Sequence, residues 1–496
     1  MIEKQKDNKV FYISLIITFA IVLWGIVFKE HFNNFANTLY DFLSVNFGWT
    51  YLLSMLIFVI FALILAFSKY GKIKLGPDDS KPEFSTTSWF AMLFGAGMGI
   101  GLVFWGVAEP LAHFSTPPVG IQPGTSEAAE FALKASFKHW GFHPWANYSI
   151  IGLALAYFQF RKNKPGLISS IFTPLLGEEG VKGPIGKLID VLAVFATVAG
   201  VATSLGMGTL QINGGLNYLF KIPETQLVQV IIIGIVTVIF IWTAVSGIEK
   251  GIKLLSDINL WAAGILVIGA FLVGPKITIL NSFVNSFGDY LNTFVYDSLN
   301  IKAFGDNTWI SGWTVFYWAW WIAWAPFVGS FIARISKGRT IREFVMGVII
   351  APSLASFVWF SIFGTLGINL GITKKLSLSA LQSVKTETAL FVVMKNYPLG
   401  TILSIIAIFL LCTFFITSAN SATFVLGMFT SEGNLNPSNK KKILWGLVQS
   451  LLATALLLAG GLKALQTASV AAAFPFIFVM IFACISLVKA LREEKI

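Results

Sequence analysis

The chain has 496 residues, of which 56% are hydrophobic and only 12% charged, with a mean hydropathy of +0.76. A soluble domain carries roughly 25% charged residues, so this composition excludes one and points to a polytopic membrane protein. The net charge of +11 then reads as a topology and anionic-lipid signal, with no nucleic-acid partner expected.

Apolar runs of about 17–25 residues are long enough to span a bilayer. They lie near 11–28, 50–68, 88–108, 140–160, 189–218, 228–247, 254–273, 312–333, 342–366, 399–429, 443–460 and 469–488, which predicts an all-α integral membrane protein with 12 transmembrane helices. The first run is too long for a cleaved signal peptide and is expected to be retained. A cytoplasmic N-terminus places 24 of the 35 Lys and Arg residues on the cytoplasmic side and 11 on the other. That bias follows the positive-inside rule, so both termini are expected in the cytoplasm of a multi-pass protein of the cell (plasma) membrane.

The third run contains Gly95-Ala-Gly-Met-Gly-Ile-Gly101. Each glycine lowers helix stability by about 1 kcal/mol relative to alanine, so an unwound stretch is expected, whose carbonyls can coordinate Na⁺ or let a solute approach. Close helix packing through small residues is the competing reading. Glu109 follows at the outer end of this run, placed either to draw cations to an entrance or to cap the chain before Pro110. No acidic residue lies between Trp89 and Ala108 or between Gly312 and Ala333. A pure cation would lack a counter-ion at a site built from these runs; a zwitterion brings its own.

The fourth run opens with His139-Trp-Gly-Phe-His-Pro-Trp-Ala-Asn-Tyr148. On one continuous helix, at about 100° per residue, Trp140 and Tyr148 fall about 80° apart and Trp145 and Tyr148 about 60° apart, so one face gathers three aromatics. The fifth run offers hydroxyls at Thr197, Thr203 and Ser204, with no basic residue between Asp190 and Phe220. Beyond the seventh run, Ile279–Leu299 can form an amphipathic helix on the outer face or a plain loop.

The eighth run carries five tryptophans, Tyr317 and Pro326 between Gly312 and Pro326. Aromatic belts sit at the ends of spans, but Trp321 and Trp324 lie mid-run, three residues apart on one face, which marks a site; Trp313 reads as an interfacial anchor. Trp and Tyr faces attract a cation, above all a quaternary ammonium, by about 0.5–2 kcal/mol per contact. The tenth run ends Phe414-Phe-Ile-Thr-Ser-Ala-Asn-Ser421, whose hydroxyls can bond back along their helix or contribute to an oxygen-rich Na⁺ site.

Enzyme chemistry is not expected. His31, His113, His139 and His143 show no metal-ligand spacing, no nucleophile motif is present, and Cys412 and Cys484 read as small buried hydrophobes. No cofactor is implied, only Na⁺ as a coupling ion. The interrupted third and eighth runs, five spans apart, predict an inverted-repeat transporter with its site near the midplane. Its parts are residues 1–87 with the N-terminal tail and two extra helices, repeats at 88–273 and 310–488, an extracellular connector at 274–309, and a short cytoplasmic tail at 489–496 without an appended soluble domain.

Gly97-Met-Gly-Ile-Gly101, His139–Tyr148, the run Trp313–Pro326 continuing to Phe331-Ile-Ala-Arg-Ile-Ser-Lys-Gly-Arg339, and Thr417-Ser-Ala together resemble the betaine/choline/carnitine transporter family. The resemblance implies a LeuT-type 5+5 inverted repeat preceded by two helices, usually homotrimeric, moving quaternary-ammonium compatible solutes by alternating access. It implies an ammonium box of Trp140, Trp145, Tyr148 and Trp321, with Trp320, Trp324, Gly99, Gly101 and Phe331 on the same path. It implies Na⁺ at Gly95, Met98, Phe414, Thr417 and Ser418, and a second ion near Thr197, although Val201 stands where a second hydroxyl is usual. Asn420 replaces a common Asp, and the C-terminal tail is shorter than in osmotically regulated members. Choline carriers of the family tend to have an acidic residue where this chain has Gly101, so Na⁺-coupled uptake of glycine betaine is the expected activity. Choline or carnitine carriage by H⁺ coupling or sodium-independent exchange is the nearest alternative; a ligand-gated channel or membrane sensor is the alternative of a different class.

Overall fold

In hydrocarbon every backbone N–H and C=O must be satisfied within the protein, which favours helices for runs this apolar. The computed structural model describes residues 9–97, 99–246 and 249–495; among these the regular structure is helical apart from one isolated β-bridge between Lys74 and Thr340. The helices are α1 (Lys9–Val27), α2 (Lys29–Phe67), α3 (Thr86–Gly97), α4 (Ile100–Ser115), α5 (Ser126–Trp140), α6 (Phe142–Ala156), α7 (Thr173–Lys182), α8 (Pro184–Phe220) and α9 (Gln226–Val245). They continue with α10 (Glu249–Val273), α11 (Lys276–Asn292), α12 (Phe294–Leu299), α13 (Phe316–Ile335), α14 (Ile341–Ile372), α15 (Leu378–Gln382), α16 (Ala389–Met394), α17 (Gly400–Phe429) and α18 (Asn439–Arg492).

Nine helical runs among the described residues are long and apolar enough to cross a membrane, and the chain is a multi-pass membrane protein. Burial separates centre from rim. In α8 and in Ile310–Ile335, 83% of the most apolar stretch is buried, against 22% in α9. α9 turns Leu227, Ile231, Ile235, Val238 and Trp242 outward, as a lipid-facing helix does. α13 packs against α6 and α8, and α14 packs against α4, so residues from widely separated parts of the chain converge on α13.

Several boundaries differ from the sequence expectation. α2 begins at Lys29, not near 50, because Phe32, Ala36, Tyr40 and Leu43 recur at helical spacing and are buried. The fourth span does not start at His139: α5 precedes it and the backbone breaks at Gly141 (φ −95°, ψ −128°). A Cβ at 141 would lie 2.5 Å from the Phe137 carbonyl and 2.7 Å from the Phe357 ring, so only glycine fits the corner. Trp140 therefore ends one helix while Trp145 and Tyr148 lie in the next, and the single-helix angles do not apply to Trp140.

The third span is interrupted as expected between α3 and α4, where Gly99 is extended (φ −133°, ψ −167°). The eighth is not interrupted at its proline. α13 runs through Pro326, and its irregularity is a π-helical turn at Ile310–Val315. Pro326 forfeits one backbone hydrogen bond, a loss that neighbouring helices accommodate because the residue is buried. The last apolar runs form the single element α18, which departs from helical angles at Gly460 and Gly461.

Candidate functional site

The break at Gly141 brings Trp140 from α5 and Trp145 and Tyr148 from α6 to one cavity, and α13 supplies Trp320, Trp321 and Trp324 to it. The indole of Trp140 stands edge-on to Trp321 at 4.8 Å and 78°, and Trp320 stacks on Trp321 at 4.7 Å and 18°. Tyr148 is edge-on to Trp321 at 6.2 Å and to Trp145 at 5.5 Å. Gly95, Gly99 and Gly101, from the α3/α4 break, line the same cavity. The N-terminus of α4 carries no side-chain cap there, so it presents the positive end of a helix dipole to the cavity.

A glycine is required at 101. A Cβ would lie 2.7 Å from the Trp320 ring and 3.0 Å from the Trp140 ring, so any side chain would displace the box.

The rings are held by their polar edges. Trp321 Nε1 donates to the His139 carbonyl at 2.9 Å, Trp320 Nε1 to Ser204 Oγ at 3.2 Å, and Asn147 Nδ2 to the Trp321 carbonyl at 2.9 Å. Trp324 Nε1 is buried against Gly200 without a hydrogen-bond partner among the described residues, which costs stability.

Trp140 Nε1 donates to Glu109 Oε2 at 2.7 Å, and the Tyr317 hydroxyl donates to the same oxygen at 2.6 Å. Glu109 is fully buried within α4, so neither an entrance role nor a role in capping the following chain survives. The acid-free windows stopped one residue short of it: a carboxylate does stand behind the box, and the sequence argument that a cation would find no counter-charge fails.

Oε1 of Glu109 meets His139 Nδ1 at 2.6 Å and His113 Nε2 at 3.3 Å. His113 Nδ1 accepts from Trp309 Nε1 at 3.2 Å, and His139 Nε2 pairs with Thr314 Oγ1 at 2.9 Å. Glu109, His113 and His139 bring ligand atoms within 4.8 Å of one another, a grouping that linear spacing concealed and that could hold a metal ion. As it stands, each of these ring nitrogens and both oxygens have protein partners. His143, the i+4 neighbour of His139, pairs instead with Ser298 Oγ at 2.8 Å.

The residues expected to hold cations are only partly gathered. Gly95 and Ser418 line the same cavity as the box. Thr417 Oγ1 donates back to the Thr413 and Phe414 carbonyls at 3.0 and 3.3 Å, and Asn259 Nδ2 approaches it at 3.4 Å. Phe414 is buried in the core, and Met98 lies outside the described residues. Thr197 Oγ1 donates to the Ala193 carbonyl at 2.8 Å; Thr203 turns to the Leu465 carbonyl and Ser469, while Ser204 reaches the cavity. Phe331 is not brought to the box and lines a separate cavity with Phe327, Arg334 and Phe424. Trp313 packs edge-on against His113 at 4.5 Å. Sequence reasoning did not single out Tyr317 or Ser356, and it misjudged Glu109.

Comparison with known proteins identifies the family. The family described as BCCT, the betaine/carnitine/choline family of transporters, matches residues 9–496. The glycine betaine transporter OpuD of Bacillus subtilis is 51% identical over 490 residues, covering 98% of this chain and 95% of that protein. A probable glycine betaine transporter of Desulfitobacterium hafniense is 49% identical, covering 99% and 98%. An ectoine/hydroxyectoine transporter of Virgibacillus pantothenticus is 44% identical, again covering 99% and 98%.

Proposed function

The chain belongs to the betaine/carnitine/choline transporter family and is a transporter, not an enzyme; from that premise we propose that it takes up glycine betaine by Na⁺ symport through alternating access. The observation that carries the reading is the make-up of the cavity lining: the aromatic rings of Trp140, Trp320 and Trp321 together with an uncapped helix N-terminus at Gly99–Gly101. Aromatic faces suit a trimethylammonium group that cannot donate hydrogen bonds. The uncapped N-terminus of α4 suits a carboxylate. A zwitterion satisfies both.

The space around Gly101 favours betaine over choline within this reading. An acidic side chain at 101 has nowhere to go unless Trp140 and Trp320 move. The ion is placed at Gly95, Met98, Phe414, Thr417 and Ser418, where carbonyl and hydroxyl oxygens suit a hard cation; Thr197 belongs to a second, less complete site. Each charge carried inward adds about 2.3 kcal/mol per 100 mV, so even one Na⁺ drives accumulation.

Twelve spans belong to the same proposal. The broken pairs α3–α4 and α5–α6 each cross once, and α18 crosses twice, turning at Gly460 and Gly461. With them come the LeuT-type repeat, cytoplasmic termini in the plasma membrane, a homotrimer and contact with anionic lipid.

Radiolabelled glycine betaine uptake into proteoliposomes under imposed Na⁺, H⁺ and K⁺ gradients tests the function. Accumulation that requires inward Na⁺ is expected. Saturable uptake indifferent to removal of Na⁺ would leave an exchanger, and unsaturable flux without counterflow would leave a channel.

A further inference from the structure

We infer that Glu109 determines affinity and selectivity for the quaternary ammonium: its buried carboxylate is the counter-charge of the aromatic box, delivered through the polar edges of Trp140 and Tyr317. The inference rests on the reading of this box as the ammonium site.

Donor inventory sets the charge of Glu109. An indole N–H can only donate, so Oε2 must accept from Trp140, and the Tyr317 hydroxyl shares that oxygen. The Trp309 N–H likewise obliges His113 Nδ1 to accept, which leaves the proton of a neutral His113 on Nε2, pointing at Oε1. His139 Nδ1 approaches the same oxygen at 2.6 Å. Both carboxylate oxygens thus face donors, the environment of an ionised acid.

No Lys or Arg among the described residues forms an ion pair with this carboxylate; its charged-pair contacts are the two histidines. Lys138 is the nearest candidate in the hydrogen-bond chain, reached through His139 and Thr314, and it donates to Thr314 Oγ1 at 3.1 Å. That ammonium borders a different cavity, with Lys134, Asp297 and Trp309. A buried carboxylate held by hydrogen bonds yet lacking a directly paired cation is incompletely compensated. The box lies on its other side.

Trp140 joins the two. Its N–H edge meets Glu109, while its six-membered ring reaches the cavity wall at Gly101. A charge-assisted N–H···O⁻ bond pushes electron density into the indole, and the attraction of a ring face for a cation rises with that density. Tyr317 transmits the same charge to the aromatic layer, lying nearly parallel to Trp321 at 6.2 Å and 23°. The carboxylate acts as a positioning and polarising group with no need to touch the solute.

The test separates charge from shape by using glycine betaine and its carbon isostere 3,3-dimethylbutanoate, in which a tert-butyl group replaces trimethylammonium. Binding of both to the full chain in detergent is measured by isothermal calorimetry or by competition with labelled betaine. Glu109→Gln is expected to weaken betaine about tenfold, in the range of one to two cation–π contacts, and the isostere much less. Glu109→Asp, which keeps the charge, should recover part of the selectivity. Equal weakening of both ligands, or an unchanged betaine affinity, would overturn the inference. If the Gln variant does not fold, Tyr317→Phe removes one relay and should narrow the betaine-to-isostere ratio in the same direction; an unchanged ratio there is also fatal. A parent protein that binds no betaine would instead defeat the proposed function itself.

Discussion

The aromatic box lines the cavity, whereas Thr417 and Thr197 stand outside its lining, and the two groups are held by different means. In the box, each fixed ring edge is tied across helices: Trp321 to the His139 carbonyl, Trp320 to Ser204, Trp140 to Glu109. In the hydroxyl region, Thr417 and Thr197 donate to carbonyls of their own helices, and the cross-helix contact to Thr417 is a long one, Asn259 Nδ2 at 3.4 Å. A cross-helix bond fixes two elements relative to one another; a bond back along one helix fixes nothing beyond it. The back-bonded hydroxyl still keeps a lone pair for a cation. The box is therefore held by bonds between helices, and under the proposed Na⁺ symport an ion arriving at the hydroxyls draws α17 towards the α3/α4 break.

The strongest way to break this contrast is Trp321→Leu. It removes a ring face and the bond to His139 together, and the apparent KM for betaine should rise about tenfold or more, equivalent to about 1.4 kcal/mol. The Na⁺ concentration for half-maximal uptake should move much less. Uptake titrations in betaine at fixed Na⁺, then in Na⁺ at saturating betaine, separate the two. Parallel shifts in both would mean that the box and the ion region are one unit.

The converse change is expected to be milder. Ser418→Ala deletes one hydroxyl facing the cavity, and half-maximal Na⁺ should rise about three- to tenfold, the worth of one oxygen contact to a charge. The betaine KM at saturating Na⁺ should stay within about twofold. A betaine effect larger than the Na⁺ effect would place Ser418 with the solute.

The contrast also accounts for what could be read along the chain. The box was legible because its rings are conspicuous: tryptophans in mid-span need a reason, and Trp140, Trp145, Tyr148 and Trp321 do meet. The interruption of the third span was legible because clustered glycine weakens a helix wherever it stands. Glu109 was not, because its partners lie 31 and 208 residues away and only packing makes them neighbours. Pro326 misled for the opposite reason: its local penalty is real, but a helix enclosed by α6 and α8 continues through it. Gly141, which does break its span, is marked by no clustering and is explained by the closeness of the Phe137 carbonyl and the Phe357 ring. Conspicuous residue types were visible in the sequence, and the hydrogen-bond partners that packing brings to Glu109 were not.

The smallest expected effect asks how far the rigidity of the box wall extends. Just beyond the α6 end of that wall, the Tyr157 hydroxyl, Arg161 Nη2 and Lys162 Nζ all reach Glu494 at 2.7–2.8 Å, joining this end of the wall to the chain just past α18. The Arg161 hydrogen bond, helped by those from Lys162 and Tyr157, holds the Glu494 carboxyl at about 2, below its ordinary 4.5. A carboxyl depressed in the folded state contributes stability above its unfolded value and loses it as pH falls through the folded one. The contribution should be constant from neutral pH down to about 5 and fade between about 4.5 and 2. Glu494→Gln should lower the unfolding temperature at pH 7, by the equivalent of about 1–3 kcal/mol, and the gap to the parent should close as the pH is lowered through that window. Thermal unfolding followed by tryptophan fluorescence at several pH values measures it. A gap that persists below about pH 2 would show that Glu494 acts through packing rather than charge, and a betaine KM that rises with the loss of the latch would extend the pre-organised wall to the end of α18.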